Sequence, residues 1–365
     1  MKTILPTNKL FTNKLIKAFA FCFPLFFLAA CDNQTSELLD DIWDGSEDDV
    51  CEEDVTSVDF KQIAYWSISD EETLDDIDFT KLTHVIYNKI GVESNGNLIL
   101  PTGEDLDEFK EMIDLAHTSN IYAMASIGNA SDSAFNSIAG NTTALNDFIA
   151  NVENLIKDYD LDGIDINWQF PTTDDEGDLF EDLVKEVSDL TTDQGVLFSY
   201  VVDSGEDDDA TDQGVQEDAL GYPDFVNVMA LNTTDNDELH SSLEDAKEAI
   251  TYWTNRCVVK NKIVLAIPVY SQGDAVLDFN DIVSDDLDNA CVDEATNVEG
   301  PSGNIYDNIN YNGIATVIAK TAYAQTKAGG VILNAVNQDY VEDADYSLLN
   351  TMYLQSIYQS NTICD

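Results

Sequence analysis

Eight short apolar runs alternate with longer stretches of helical spacing along most of the chain. The runs are rich in β-branched and aromatic residues, a composition typical of buried β-strands. Strands that alternate with helices predict a parallel sheet, and eight of them favour a closed (β/α)8 TIM barrel over an open sheet. The predicted strands are Gln62–Trp66, Thr83–Tyr87, Tyr122–Ile127, Gly163–Trp168, Val196–Val202, Phe225–Ala230, Ile263–Val269 and Gly330–Asn334.

The stretches between these runs carry apolar residues three and four positions apart, which predicts amphipathic helices packed on the barrel. The predicted helices are Asp105–Ser119, Ala144–Tyr159, Asp178–Leu190, Leu243–Asn255 and Ile314–Lys327. The Ser271–Asn312 segment contains many turn residues and predicts a long loop beside the barrel mouth, without a large insertion domain.

The charge of the chain is strongly negative. It contains 71 acidic and 16 basic residues, for a formal net charge of -55. A field of this sign repels phosphate groups, so nucleic acids and anionic membrane surfaces are not expected as partners.

The N-terminal segment has the pattern of a targeting sequence. Lysines precede an apolar run, Ala18–Ala30, that is too short to span a membrane. The run ends Leu28-Ala29-Ala30-Cys31, which resembles a bacterial lipoprotein box, although an ordinary secretory signal stays open as an alternative. Residues 1–30 are therefore predicted to be a lipoprotein signal peptide and Cys31 the lipidated residue, anchored in the cell envelope at the periplasmic face or the cell surface.

The next segment, residues 31–57, is predicted to be an acidic tether. Eleven acidic residues and no basic residue lie between Asp32 and Asp54, so the segment repels itself and stays extended. Residues 58–365 then form the predicted barrel domain.

Four cysteines remain after removal of the signal peptide and lipidation of Cys31: Cys51, Cys257, Cys291 and Cys364. An even number in an oxidising compartment predicts disulfides, and four cysteines allow three pairings. Because chain ends commonly lie close together, Cys51 is expected to pair with Cys364, which leaves Cys257 for Cys291. No CxxC motif or neighbouring histidine supports a zinc site, so no metal or other cofactor is expected. His84 lies within a strand run and is expected to be a core or rim histidine rather than a base.

The run that ends in Asp165, Asn167 and Gln169 is the strongest candidate for a functional site. Ile164 and Ile166 alternate with the polar residues, so a strand here directs one set towards the helices and the other inward. Polar groups that face one cavity are costly to bury unless a ligand or a hydrogen-bond network satisfies them. A strand end with solvated polar residues is the alternative interpretation.

The same stretch resembles the Asp-Gly-x-Asp-x-Asp-Trp-Glu-Tyr-Pro signature of family 18 glycoside hydrolases, the chitinase family. It matches the signature at Asp162, Gly163, Asp165, Trp168 and Pro171. It departs from the signature at Asn167, where the family has Asp, at Gln169, where the family has its catalytic Glu, and at Phe170, where the family has Tyr.

Further segments extend the resemblance over roughly residues 60–355. They are Ser126–Gly128, Ala134–Ala139, Tyr222–Met229 and Gly329–Ile332, in the family's order and spacing. Three more departures follow the later strands: Leu231 and Asn232 replace a Tyr-Asp pair, and Asn334 replaces a Trp. The resemblance implies a ligand site formed by Tyr65, Asp165, Asn167, Trp168, Gln169, Met229, Asn232 and Asn334.

Two of the departures, Asn167 and Gln169, replace residues that the family's reaction needs. Family 18 uses the substrate's own N-acetyl group as nucleophile, but a carboxylic acid must still protonate the leaving oxygen. A carboxamide has no titratable proton near neutral pH, so Gln169 cannot serve as that acid. Asn167 is neutral where negative charge would stabilise the developing cation.

The resemblance therefore predicts a catalytically inactive, chitinase-like lipoprotein that binds an N-acetylglucosamine-containing glycan or a protein. A divergent active glycosidase stays open, with its acid relocated to Asp165, Asp235, Asp237 or Glu238. So does a protein-interaction barrel that lacks a sugar site.

Overall fold

The computed structural model describes residues 59–68, 74–128, 133–205, 214–231, 240–359 and 364. All of them belong to one compact unit of the chain, Cys51–Asp365. The predicted signal peptide and tether, with Cys31 and Cys51, lie outside the described residues, as do Asn232, Asp235, Asp237 and Glu238. Within the described part, no helix has the length and apolar content needed to cross a bilayer.

Eight parallel strands form the closed barrel that the sequence predicts. Each strand is hydrogen-bonded to the next, and the first pairs with the second and the last, which closes the ring. A short antiparallel strand, β3 (Leu98–Ile99), extends the second barrel strand into a hairpin. The barrel strands are β1 (Lys61–Trp66), β2 (His84–Val92), β4 (Tyr122–Gly128), β5 (Gly163–Asn167), β6 (Leu197–Asp203), β7 (Phe225–Met229), β8 (Ile263–Pro268) and β14 (Gly330–Asn334).

Helices surround the barrel, and all five predicted helices are confirmed. Polar side chains cap three of these five at the first turn, as in Thr142–Tyr159, where Asn141 accepts hydrogen bonds from the amides of Thr143 and Ala144. Three further helices occur among the described residues: Ser133–Ala139, Phe279–Asp285 and Leu348–Tyr358. In chain order, the helices of the described part are α1 (Glu104–Thr118), α2 (Ser133–Ala139), α3 (Thr142–Tyr159), α4 (Asp174–Gln194), α5 (Leu243–Asn255), α6 (Phe279–Asp285), α7 (Ile314–Lys327) and α8 (Leu348–Tyr358).

The Ser271–Asn312 segment is more ordered than the predicted loop. Besides α6 it contains five two-residue strands, which form small antiparallel sheets. Strands this short fall below the length at which alternation can be recognised in a sequence, so turn composition alone indicated a loop. The strands are β9 (Gln272–Gly273), β10 (Glu294–Ala295), β11 (Val298–Glu299), β12 (Ile305–Tyr306) and β13 (Ile309–Asn310).

Two apolar clusters hold the barrel together. The larger lies between strands and helices and includes Ile164 and Ile166, whereas the smaller fills the barrel interior and includes Met124 and Met229. A Cβ at Gly163 would lie 2.7 Å from Met124 Cε and 2.9 Å from the carbonyl oxygen of Leu197. Gly163 therefore permits the close approach of β5 to its neighbours, and β5 directs its odd-numbered side chains inward.

The disulfide pairing differs from the predicted one. Cys291 is bonded to Cys364, with their Cα atoms 5.3 Å apart, and Cys257 is also disulfide-bonded. The predicted pairings Cys51–Cys364 and Cys257–Cys291 are therefore wrong. The short helical turn that ends at Cys291 and the C-terminal helix α8 both pack on α7, which brings Cys364 to Cys291.

His84 is a core histidine, as predicted, and is buried at the first residue of β2. Its ring stacks on Tyr122 and meets Phe225 edge-on, with centroids 4.8 and 5.7 Å apart. Burial, and secondarily the charge of Lys61, lowers the pKa of His84 to about 3. The folded protein therefore holds this imidazole neutral across the pH range in which an unfolded chain protonates it.

Acidification is expected to destabilise the protein partly through this residue. Below pH 6.5 the unfolded chain binds a proton at His84, whereas the folded chain binds one there only below about pH 3. The free energy of unfolding therefore decreases as the pH is lowered through that window. His84→Phe keeps the ring contacts and is expected to remove about 3 kcal/mol of the loss between pH 7 and pH 4. Urea unfolding of both proteins at the two pH values measures the difference. Equal losses in wild type and variant would contradict the prediction.

Candidate functional site

A buried polar cluster lies inside the barrel around Asp165. Its members, here called the Asp165 cluster, are Tyr65, Ser126, Asp165, Ser199 and Asn227, each at most 1% exposed. Asp165 Oδ2 accepts hydrogen bonds from Ser126 Oγ at 2.7 Å and Tyr65 Oη at 3.0 Å. Asp165 Oδ1 accepts from Ser199 Oγ at 2.7 Å and Asn227 Nδ2 at 3.0 Å. Four strands besides β5 thus converge on one carboxylate.

The electrostatics of this cluster follow from its burial. Desolvation raises the pKa of Asp165, and the four donated hydrogen bonds oppose that rise. The pKa of Tyr65 lies well above its ordinary value because the phenol is buried beside the carboxylate. Asn227 Nδ2 also donates to Tyr65 Oη at 3.1 Å, while its Oδ1 is buried without a hydrogen-bond partner. The cluster therefore works as a rigid, largely satisfied floor beneath the carboxyl ends of the strands.

Ser199 is a site residue that the sequence analysis did not identify, and Asn227 was recognised only as part of the resembling segment Tyr222–Met229. Both occupy inward positions, two residues from the apolar inner residues Val201 and Met229. A polar residue at an inward position of an otherwise apolar strand was the signal that could have identified them. Ser126, which was recognised only as part of a resembling segment, joins the same cluster.

Asn167 and Gln169 lie above this floor, at the barrel mouth. Asn167 is the last residue of β5 and is half-buried, and Gln169 is exposed. Phe170 is half-buried and packs against the inner apolar cluster. A carboxamide at Gln169 can donate and accept hydrogen bonds to a ligand in the mouth, but it carries no acidic proton.

Trp168 lies elsewhere than the predicted ligand site. It is 1% exposed and stacks on Phe135 with ring centroids 5.2 Å apart, and Phe180 contacts it edge-on at 5.6 Å. It has the outward parity of Ile164 and Ile166, so it fills the layer between β5 and the helices rather than lining the mouth.

Met229 and Asn334, two further predicted site residues, end barrel strands at the mouth, whereas Asn232 lies outside the described residues. Met229 ends β7, is 8% exposed and packs in the inner cluster beside Leu231. Asn334 ends β14 and is half-buried, with its backbone carbonyl accepting a hydrogen bond from the amide of Val269. Apolar side chains therefore form much of the described wall here.

One carboxylate at the mouth was not considered from the sequence. Asp203 is the last residue of β6 and has the inward parity of Ser199 and Val201. It is half-buried, and its Oδ1 accepts a hydrogen bond from the amide of Ser204. Among the described residues, no group of three or more histidine, cysteine or acidic side chains is placed to hold a metal ion.

Comparison with known proteins gives one family. The sequence model of the family described as "Glycosyl hydrolases family 18" matches residues 61–341, about three quarters of the chain. The probable chitinase 10 of Drosophila melanogaster is 28% identical over 228 residues, which cover 54% of this chain and 10% of that protein. The chain thus spans about a tenth of the length of this curated relative.

Solved structures share the fold. The chitinase ChiB from the chitin utilization locus of Flavobacterium johnsoniae is 22% identical with a TM-score of 0.71, over 84% of this chain and 96% of that chain. A Glu→Gln mutant of the class V chitinase from Nicotiana tobaccum, solved in complex with NAG4, is 18% identical with a TM-score of 0.67. The match covers 82% of this chain and 100% of that chain.

Proposed function

Because this chain belongs to family 18 of the glycosyl hydrolases, we propose that it is a chitinase-like protein that binds an N-acetylglucosamine-containing glycan at the barrel mouth without hydrolysing it. The observation that carries the proposal is the side chain of Gln169, exposed at the end of the fourth barrel strand. Its position in the family signature is that of the catalytic Glu. With a carboxamide there, the site can hold a glycosidic oxygen but cannot protonate it.

The retained floor of the site supports binding. Asp165 and its four partners keep a desolvated hydrogen-bond network in place under Asn167 and Gln169. A network of this kind is costly to assemble, and it rigidifies the strand ends that a ligand would contact. The tobacco chitinase gives a parallel, because a Glu→Gln change in that protein is compatible with bound NAG4.

Titration with chitotetraose tests the proposal. We expect saturable binding by the unmodified protein in isothermal titration calorimetry, and an affinity about fivefold to tenfold lower for Gln169→Ala because one or two ligand hydrogen bonds are lost. Asn146→Ala removes an exposed amide on α3 and serves as the matched control, with unchanged affinity. Absence of binding by the unmodified protein would contradict a glycan site and favour a protein-interaction barrel. Equal affinity for Gln169→Ala would show that the glycan is bound away from Gln169.

We also propose that the protein is a lipoprotein of the bacterial cell envelope, anchored through Cys31. The support is the sequence Leu28-Ala29-Ala30-Cys31 after an apolar run, followed by an acidic segment. An anchored binding barrel would hold its glycan close to the membrane that carries it.

Substitution of Cys31 is expected to release the protein from membranes or to block its maturation. One acyl chain binds a bilayer only weakly, so stable anchoring needs the full lipid modification of this thiol. Fractionation of cells that express wild type or Cys31→Ala, followed by mass spectrometry of the mature N-terminus, measures the change. Cys22→Ala, inside the predicted signal peptide, is the matched control and should fractionate like wild type. Sedimentation of processed Cys31→Ala with membranes would show that the anchor is elsewhere.

A further inference from the structure

A second concave site lies on the outside of the barrel, between the β2–β3 hairpin and helix α3. Its volume is about 400 Å3, within the range of small-molecule sites. We call it the hairpin groove. Its polar and aromatic lining consists of Glu93, Asn97, Asn151, Asn154, Asp158 and Tyr159.

The hairpin groove is preformed. Gly96, at the tip of the hairpin, has φ +90°, and a Cβ there would lie 2.3 Å from the carbonyl oxygen of Ala144 and 2.8 Å from the amide nitrogen of Phe148. Only glycine permits this approach of the hairpin to α3. Asn151 Nδ2 donates a hydrogen bond to the carbonyl oxygen of Gly96 at 3.0 Å, which fixes the two walls together. The entropy cost of ordering these walls is therefore incurred during folding, and ligand binding does not add it again.

The α3 wall presents two hydrogen-bonding side chains, Asn154 and Asp158, that the other described residues do not use. Asn151, Asn154 and Asp158 are three and four residues apart, so they share one face of α3. Asn154 and Asp158 are exposed, and neither side chain hydrogen-bonds to another described residue. On the opposite wall, Asn97 Nδ2 donates to Glu93 Oε2 at 3.3 Å. Each wall of the groove thus carries both amide and carboxylate groups.

An apolar floor lies between these walls. Leu98 and Leu155 line the groove from below, and both pack in or against the outer core of the barrel. Tyr159 is half-buried, with its ring on Phe109 at a centroid distance of 5.2 Å, and it adds an aromatic surface to the groove. The arrangement suits a ligand with apolar CH faces and polar edges.

The charges of the groove select the class of ligand. Glu93 and Asp158 repel anions, and no lysine or arginine lines the groove to offset them. Two carboxylates fall short of a metal cage, and no group of three acidic, histidine or cysteine side chains suited to a metal occurs among the described residues. Three amides make the walls too polar for an apolar ligand. A neutral, polyhydroxylated ligand remains.

We propose that the hairpin groove binds a neutral oligosaccharide, with the amides and carboxylates of its walls paired to sugar hydroxyls and the rings lying over Tyr159 and the leucine floor. The site is separate from the barrel mouth, and its occupancy does not depend on glycan binding there. A protein with both sites would hold one chain at two points, or two chains at once, and gain avidity from the pair.

Side-chain amide NMR tests the proposal on the full chain. Titration of 15N-labelled protein with chitohexaose, and separately with cellohexaose, is expected to shift the Asn97, Asn151 and Asn154 amide signals saturably at millimolar sugar. The double variant Asn154→Ala/Asp158→Ala is expected to weaken this binding roughly tenfold or more. The chemically matched double variant Asn146→Ala/Asp147→Ala changes exposed positions of α3 that do not line the groove, and it should titrate like wild type.

The outcomes separate this site from the mouth. Gln169→Ala should leave the titration of the groove amides unchanged, even if it abolishes binding at the mouth. The proposal is overturned if neither sugar shifts the groove amides, if the Asn154→Ala/Asp158→Ala protein titrates like wild type, or if calcium chloride alone shifts them. In each of those cases binding of chitotetraose at the mouth can persist, so failure of the groove does not imply failure of the proposed function.

Discussion

The unmodified protein is expected to hydrolyse no N-acetylglucosamine oligomers, and Gln169→Glu alone is expected to restore little activity. General acid catalysis is typically worth about 10²–10⁴-fold, and Gln169 cannot supply it. Asn167 is neutral, so the site lacks a negative charge beside the developing cation. Electrostatic stabilisation of this kind is usually the largest single contribution to catalysis. The effects of catalytic groups that act as a unit are not additive. A variant with one restored carboxyl at the mouth therefore still lacks the other groups that orient the substrate.

The measurement is release of fluorophore from methylumbelliferyl chitobioside and chitotrioside by wild type, Gln169→Glu and Asn167→Asp/Gln169→Glu. The double variant should exceed the single variant, because it restores both the acid and the neighbouring charge. Turnover by the unmodified protein that is abolished by Asp203→Asn, Asp165→Asn or Asp235→Asn would show that the acid has moved rather than disappeared. Asp203→Asn tests for a relocated acid without disturbing the Asp165 cluster, since Asp203 lies inward at the mouth end of β6 and outside that cluster.

Removal of the Asp165 carboxylate is expected to cause a large loss of stability. Asp165→Ala leaves Tyr65, Ser126, Ser199 and Asn227 with buried donors that lack an acceptor. Each such donor costs about 1–3 kcal/mol, partly relieved by rotation of the hydroxyls, so we expect a loss of about 3–5 kcal/mol in the free energy of unfolding. Urea unfolding at neutral pH measures it.

The isosteric variant Asp165→Asn separates hydrogen bonding from charge. Its carbonyl oxygen can still accept from Ser199 and Asn227, and its amide can donate to the hydroxyls of Ser126 and Tyr65 after they rotate. We expect a loss of about 1–2 kcal/mol, clearly smaller than that of the alanine variant. Asp147→Ala, at an exposed position of α3, is the control and should change stability by less than about 0.5 kcal/mol. Equal losses for the alanine and asparagine variants would contradict the prediction, because they would show that the cluster depends on the charge of the carboxylate, which both variants lack, rather than on the hydrogen bonds that asparagine can keep.

Local patterns in the sequence determined the barrel and the parity of its fourth strand. The eight strands could be predicted because each is a short apolar run with a strand's composition. The alternation of Ile164 and Ile166 with Asp165 and Asn167 predicted which side chains face inward, since side-chain direction has a period of two. The same period also placed Trp168 outward, but the resemblance had assigned it to the ligand site, and packing on Phe135 and Phe180 shows the parity to be the better guide.

Only the tertiary structure decided which distant residues meet. Tyr65, Ser126, Ser199 and Asn227 lie on four different strands, and closure of the barrel brings them to one carboxylate. Cys291 meets Cys364 because the segments that lead to them both pack on α7, a contact that spacing along the chain cannot indicate. The hairpin groove likewise exists because Gly96 lets a turn approach a helix about fifty residues away in sequence. Periodicity reports which way a side chain faces, whereas the partner it faces is set by contacts between elements far apart in the chain.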